Sequence, residues 1–173
     1  MTNLQIRPTC SEDHGAIERI YPAAFPDEDL LPLVRNLLAA GTDCLSLTAL
    51  CDGLVAGHCV FTLCGMDRVE RAVALLGPVC VAPENQRIGC GSALIKHGNM
   101  RLQKDGIGKV LVLGDPNYYG RFGFREEVGI LTPHPIPDAW KSAWQSMDLT
   151  PAGQGLAGKL VVPGPWQDPA LWA

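Results

Sequence analysis

The sequence predicts an α/β (α+β) fold in which helices flank a mixed central sheet. Three observations carry this. Helical and strand periods of apolar residues alternate along the chain. Asp52-Gly53 joins two apolar runs as a tight hairpin. The short, wholly apolar run Val110–Leu113 reads as a buried parallel strand. The chain has 173 residues, 47% of them apolar, which suffices for one domain with a core that needs no staples. We read residues 1–165 as that domain and 166–173 as a short C-terminal tail.

Leu4 and Ile6 alternate with Gln5 and Arg7, so a first strand runs to Pro8. Thr9 and Glu12 have capping-box spacing. Ile17, Ile20 and Tyr21 form the apolar stripe of a first helix, which Pro22 and Pro26 interrupt. A second helical stretch starts at Asp27 or Asp29. It carries Leu30, Leu33, Val34, Leu37 and Leu38, and Gly41 stops it. The hairpin strands are 45–50 and 54–63. Residues 64–71 read as a connection. Residues 72–76 read as a strand that Gly77-Pro78 breaks and 79–81 continue. Asp115-Pro116 opens a turn or a short helix through Tyr118 and Tyr119, and Gly123-Phe124 returns the chain to strand. The prolines of 132–137 make an extended connection. Asp138 then caps a helix with Trp140, Trp144 and Met147 on one face. That face reads as core, with a dimer contact (a homodimer) or an acceptor lid as the alternatives. Gly155 and Gly158 supply turns before a strand at 160–162. Trp166 and Trp172 fall beyond the recognisable fold and are expected at the surface.

Net charge is −4, from 14 basic and 18 acidic residues. Arg68, Arg71, Arg101, Lys104 and Lys109 never form a run, so the chain lacks the basic stripe of a nucleic-acid binder. A small anion remains open, because backbone amides bind phosphate without side-chain charge. Seven cysteines are an odd number, set mostly among apolar neighbours, and read as buried thiols in a reducing compartment. No Cys-x2-Cys pair supports zinc, so no metal is expected. No apolar leader or long apolar run is visible, and we expect a cytoplasmic protein with no membrane partner.

Residues 77–94 carry the most information. A strand ends near Val81, a loop starts at Pro83, and Gln86-Arg87-Ile88-Gly89-Cys90-Gly91-Ser92 leads into a helix with Leu94 and Ile95 on its apolar side. First-turn amides of a helix have no intrahelical partner. A pyrophosphate satisfies them and gains from the helix dipole. Neither the Walker A pattern nor Gly-x-Gly-x-x-Gly is met. Two glycines before a helix are also ordinary turn chemistry, and Arg87 and Ser92 also read as an exposed charge and a first-turn residue.

The segment resembles the acyl-coenzyme A motif of the GNAT-type N-acetyltransferases, Gln/Arg-x-x-Gly-x-Gly/Ala, met here by Gln86, Gly89 and Gly91. Farther on, Tyr119, Gly123 and Phe124 match that family's Tyr-x-x-x-Gly-Phe segment. The run Leu113-Gly114-Asp115-Pro116-Asn117-Tyr118-Tyr119-Gly120-Arg121-Phe122-Gly123-Phe124 is similar to the YhbS-like branch. Two motifs in the right order and spacing are stronger than either alone. The resemblance implies an acyl-CoA N-acyltransferase-like fold whose sheet splays between the strand of Val79 and Val81 and the strand at 109–113. The pantetheine arm lies in that gap.

The resemblance also implies roles. Val79 and Val81 pair with the pantetheine amides. Gln86, Arg87, Ile88, Gly89, Cys90, Gly91 and Ser92 hold the pyrophosphate. An amide near Val79 stabilises the oxyanion, and Tyr119 protonates the departing thiolate. The hydroxyl of Tyr119 also suits a core tyrosine capping a polar group. Asn117 either bonds the pantetheine or caps the short helix. The implied reaction moves an acetyl group from acetyl-CoA directly to an amine of a small molecule, an amino acid or a peptide. The alternative is an acyl-CoA-binding regulatory module without transfer.

The base stays open. His58 is a candidate or a satisfied strand residue. Asp27, Glu28 and Asp29 lie where the family forms an acceptor wall, or line a solvated helix start. Asp115 is explained by its turn, and water is a further route. Cys80 faces away from the side of Val79 and Val81, and Cys90 is placed in the loop near coenzyme. No Cys-His pair supports covalent catalysis.

Overall fold

The computed structural model describes residues 1–67 and 69–173; Arg68 lies outside them. The described residues gather into two compact units. One comprises Met1–Phe61 and Gly77–Gly98, the other Thr62–Leu76 and Asn99–Ala173.

In the first unit, strand β1 is Leu4–Pro8, helix α1 is His14–Ala24 and helix α2 is Leu31–Leu38. Strand β2 is Cys44–Cys51, and the unit also takes part of β3 (Leu54–Met66), of β4 (Val69–Val81) and of α3 (Cys90–Lys104). The strand order here is β1-β2-β3-β4. β1 runs antiparallel to β2, from Leu4 opposite Cys51 to Pro8 opposite Leu47. Asp52 and Gly53 have φ of 51° and 84°, the paired left-handed residues of a primed hairpin turn. The cap of the first helical segment sits one residue later than expected. The Cys10 amide donates to Asp13 Oδ2 at 2.9 Å, while the Thr9 hydroxyl bonds Thr48 at 2.9 Å. Pro22 lies inside α1 rather than interrupting it. Ile17, Ile20 and Tyr21 of α1 bury with Val34, Cys80 and Ala82.

β3 extends to Met66 and β4 begins at Val69, so most of the expected connection at 64–71 is strand. β4 is also unbroken, passing through a cis Gly77–Pro78 peptide.

In the second unit, β5 (Lys109–Leu113) runs parallel to β4, from Val73 opposite Lys109 to Leu76 opposite Val112. Helix α4 is Pro116–Tyr119, and β6 and β7 are Arg125–Glu126 and Ile130–Leu131. β8 is Trp144–Asp148 and β9 is Gly158–Val161. β8 lies antiparallel between β5 and β6, and β9 pairs with β3 and β7. Beyond Leu76, β4 runs on to Val81 with no β5 partner among the described residues. This is the splay of a mixed sheet.

The expected helix with Trp140, Trp144 and Met147 is not formed. Asp138–Ala143 is a tight 3-10 segment, and Trp144 starts β8 instead. Trp144 pairs opposite Leu113 and Met147 opposite Val110, so the ladder with β5 overrides a helical spacing that local sequence permits. The dimer-contact and lid readings of that face lose their footing.

Of the two C-terminal indoles expected at the surface, Trp172 is buried and Trp166 is half-buried. Trp172 is 1% exposed and joins Leu75, Leu111, Ile130, Trp144 and Leu160 in the second unit's core. Its ring meets Trp144 edge-on at 5.9 Å, and its Nε1 donates to the Trp166 carbonyl at 3.0 Å. Trp166 Nε1 donates to Thr62 Oγ1 at 3.0 Å. Truncating Trp172 to alanine should therefore destabilise the protein by about 3–5 kcal/mol. Urea unfolding reads this directly, and a loss below about 0.5 kcal/mol would return these residues to the status of a dispensable tail.

Candidate functional site

The glycine loop joins β4 to α3 within the first unit. Residues 83–85 make one 3-10 turn, and the Gln86 side-chain amide donates to the Val81 carbonyl at 3.2 Å, tying the loop to the strand end. Arg87 and Gly89 are left-handed, with φ of 65° and 92°. The first helical bond runs from Ala93 N to Gly89 O at 2.9 Å. Among the described residues, none of the amides of residues 87–92 donates to a backbone acceptor. A run of unpaired N–H groups over a left-handed turn and a helix start is an anion-binding concavity. A Cβ on Gly89 would meet nothing within 4 Å, so the loop is open on that side.

Cys90 and Gly91 belong to α3 itself. Cys90 is 1% exposed, and its sulfur packs where Gly57 has no side chain. Burial pushes the thiol up to about 11. Cys90 therefore contributes an amide to the loop, and its sulfur is not the coenzyme-facing group expected of a loop position. Val79 and Val81 are half-buried while Cys80 between them is fully buried, as strand alternation requires. Burial raises the Cys80 thiol to about 12. Neither thiol is a thiolate at neutral pH.

His58 is the satisfied strand residue, not a base. It is fully buried. The Ser46 hydroxyl donates to Thr9 Oγ1 at 2.7 Å and lies 2.7 Å from His58 Nε2, so it accepts from Nε2–H. Nδ1 then accepts the Tyr21 hydroxyl proton at 2.8 Å. Burial lowers His58 to about 4, with His14 helping and Asp13 opposing. Beside this network, Tyr21, Phe25 and Leu30 line a cavity of about 320 Å³ together with Asp27, Glu28 and Asp29. The acidic run borders this concave space, and all three of its residues are exposed.

In the second unit, Asp115 caps α4 by accepting from the Asn117 amide at 2.9 Å. Asn117 is the capped residue, and its exposed side chain is not the cap. Tyr119 is half-buried and meets the Phe124 ring edge-on at 5.7 Å and the Tyr118 ring at 4.9 Å. A Cβ on Gly114 would overlap the Tyr119 ring, so that glycine gives the ring its place.

No protein-family model matches the chain. It is 32% identical over 170 residues to the uncharacterized N-acetyltransferase YjhQ of Escherichia coli K12, covering 94% of both chains. The chain belongs to the GNAT family of N-acetyltransferases. Among solved structures, a GNAT family acetyltransferase from Brucella melitensis in complex with acetyl-CoA matches at 29% identity. Its TM-score is 0.75, over 94% of this chain and 97% of that one. The E. coli family member YhbS in complex with CoA shares the fold at a TM-score of 0.84 and 24% identity, over 94% and 91% of the two chains. Among the described residues, no three His, Cys, Asp or Glu side chains are grouped to hold a metal, and no helix is long and apolar enough to cross a membrane.

Sequence reasoning missed Arg87's left-handed backbone, which no local signal marks, and the Tyr21–His58 pair, whose members are 37 residues apart. Two outcomes follow. Gly89→Ala forces a Cβ into a left-handed position and should cost about 1 kcal/mol of stability in urea titration. An unchanged midpoint would mean that the turn relaxes. The second concerns acid. Above pH 6.5 His58 is neutral folded or unfolded. Between 6.5 and about 4 only the unfolded chain takes the proton, so stability falls by about 3 kcal/mol in total as pH drops through that window. Asp13, held below the usual carboxylate range by its bonds to Arg7, acts only at lower pH. His58→Gln should flatten the decline between pH 6.5 and 4, and an equal slope in both proteins would refute the assignment.

Proposed function

We propose that this chain transfers an acetyl group from acetyl-CoA directly to a primary amine within a ternary complex. The observation that carries the donor half is the run of unpaired amides at residues 87–92, in a chain of the GNAT family. They take the pyrophosphate of the coenzyme. Gln86 braces the loop through Val81, and the strand backbone at Val79 and Val81 pairs with the pantetheine amides.

The amine nitrogen attacks the thioester carbonyl carbon. The carbonyl oxygen gains charge and is stabilised by a strand amide near Val79. The C–S bond then breaks, the leaving sulfur takes the hydroxyl proton of Tyr119, and the proton that the attacking nitrogen sheds to become a neutral amide restores the tyrosine hydroxyl. Asn117 binds the pantetheine. The acceptor enters as an ammonium and must lose a proton first. His58, buried with both ring nitrogens engaged, is unsuited to take it, so water receives it. Asp27, Glu28 and Asp29 border a cavity that attracts an ammonium. The acceptor is a small molecule, an amino acid or a peptide amine. Seven free thiols suit a reducing cytoplasm.

Calorimetry with acetyl-CoA, CoA, ATP and NAD tests the donor site, and coenzyme-selective binding is expected. Gly89→Glu should abolish that binding, because bulk and negative charge meet the pyrophosphate. Tyr119→Phe should lower turnover, on the order of tenfold to a hundredfold, with donor affinity unchanged. Undiminished coenzyme binding by the Gly89 variant would remove the loop from the site. Unchanged turnover in Tyr119→Phe would remove the acid.

A further inference from the structure

Gln145 is a buried polar residue that no step above uses. It is 1% exposed and lies on β8, opposite Val112 of β5 and Glu126 of β6. A primary amide in such a place is costly unless its N–H groups find acceptors. Both of them go to one spot. Nε2 donates to the Gly114 carbonyl at 3.0 Å and to the Ala143 carbonyl at 3.3 Å. Both partners are acceptors, so only the nitrogen end of the side chain can face them. The Gly114 amide in turn donates to the Ala143 carbonyl at 2.9 Å. Gly114 is therefore held through both its N–H and its C=O, just where β5 ends.

That point carries Tyr119. The carbonyl that Gln145 grips belongs to the peptide leading into Asp115. The Asp115 carbonyl accepts from the Tyr119 amide at 3.0 Å and from the Tyr118 amide at 3.1 Å. The Tyr119 ring then folds back over Gly114, into space that a Cβ there would take. Backbone and ring of Tyr119 are thus both fixed relative to the one residue that Gln145 clamps. Helix α4 has four residues, too few to hold a position by its own hydrogen bonds. All of these residues lie in the second unit.

We infer that Gln145 is a positioning residue for the Tyr119 hydroxyl. Its amide fixes the Gly114–Asp115 peptide, and that peptide sets where the phenol points. The inference rests on the role proposed above for Tyr119. An apolar side chain would fill the same place without burying an amide, so the peptide it holds accounts for the polar residue.

Two readings on the full chain test this. The chain has three tyrosines, Tyr21, Tyr118 and Tyr119. Ring-labelled tyrosine therefore gives three sets of NMR signals, assigned by Tyr21→Phe, Tyr118→Phe and Tyr119→Phe. Gln145→Met keeps the volume and loses both donors. In it the Tyr119 signals should shift and broaden while those of Tyr21 stay in place. Gln145→Glu buries a protonated carboxyl that keeps one donor, and its Tyr119 signals should fall between the two. The second reading is thiol release from acetyl-CoA with n-propylamine as the acceptor probe. Turnover in Gln145→Met should fall about tenfold, with the dissociation constant for acetyl-CoA unchanged. In a Tyr119→Phe background the same replacement should change turnover by less than about twofold, because the group it positions is already gone.

Unmoved Tyr119 signals in Gln145→Met overturn the inference. So does an equal loss of turnover in both backgrounds. A like shift of all three rings overturns it too, because it places Gln145 in general packing. If Gln145→Met does not fold, Gln145→Glu carries both readings. Wild-type turnover in Tyr119→Phe, or no turnover by the wild type, counts instead against the proposed function. The ring signals then decide by themselves whether Gln145 holds Tyr119.

Discussion

Strand β4 is 13 residues long, but its parallel ladder with β5 ends at Leu76. Every buried backbone N–H and C=O needs a partner, and a strand edge left open is a template for one. Among the described residues, no strand lies opposite that edge from Gly77 to Val81. The side chains there follow from the same constraint. Cys80 turns into the core, and Val79 and Val81 stay half-buried. The glycine loop continues the pattern at the strand's end, where residues 87–92 leave their amides unpaired. The open edge and the open amides are two separate stretches, divided by the bond from Gln86 to the Val81 carbonyl and by the 3-10 turn of residues 83–85.

Each unit also carries a network of buried polar groups, although in the second Asn99 Oδ1 and Thr150 Oγ1 have no hydrogen-bond partner among the described residues. In the first, Tyr21, His58, Ser46, Thr9 and Thr48 form one chain of hydrogen bonds between α1 and the strands. In the second, Lys109 pairs with Glu127 at 3.1 Å and Asp148 at 3.4 Å. Glu127 also accepts from Ser146 and from the amides of Gly129 and Ile130. These networks fix the geometry around them because a broken member would leave a buried group without a partner. Against that background the unpaired amides of the loop stand apart.

Much of this was legible in sequence where the signal is local. The Asp52-Gly53 turn demands two left-handed residues, and only a few dipeptides supply them. The stripe of Ile17, Ile20 and Tyr21 survived Pro22 because proline near the end of α1 removes little of the helical ladder. Local signals failed where a distant partner decided. Trp140, Trp144 and Met147 fit a helix by spacing, yet β5 offered a ladder that draws Trp144 and Met147 into a strand. Thr9 has a capping residue's chemistry, but its hydroxyl is engaged by Thr48 and Ser46. Cys90 looked loop-exposed because nothing nearby in sequence reveals the hollow over Gly57 that its sulfur fills.

The sequence by itself determined the class of fold, the family resemblance and the glycine-helix segment. Those depend on periodicity, turn chemistry and short motifs, all of which act within a few residues. Tertiary structure alone decided that His58 is neutral and fully engaged, that Trp172 is core, that Cys90 is inert, and that the acidic run borders a cavity. Each of these depends on which groups meet after the chain has folded. Burial and hydrogen bonding between residues tens of positions apart set protonation, reactivity and exposure, and no local pattern encodes them.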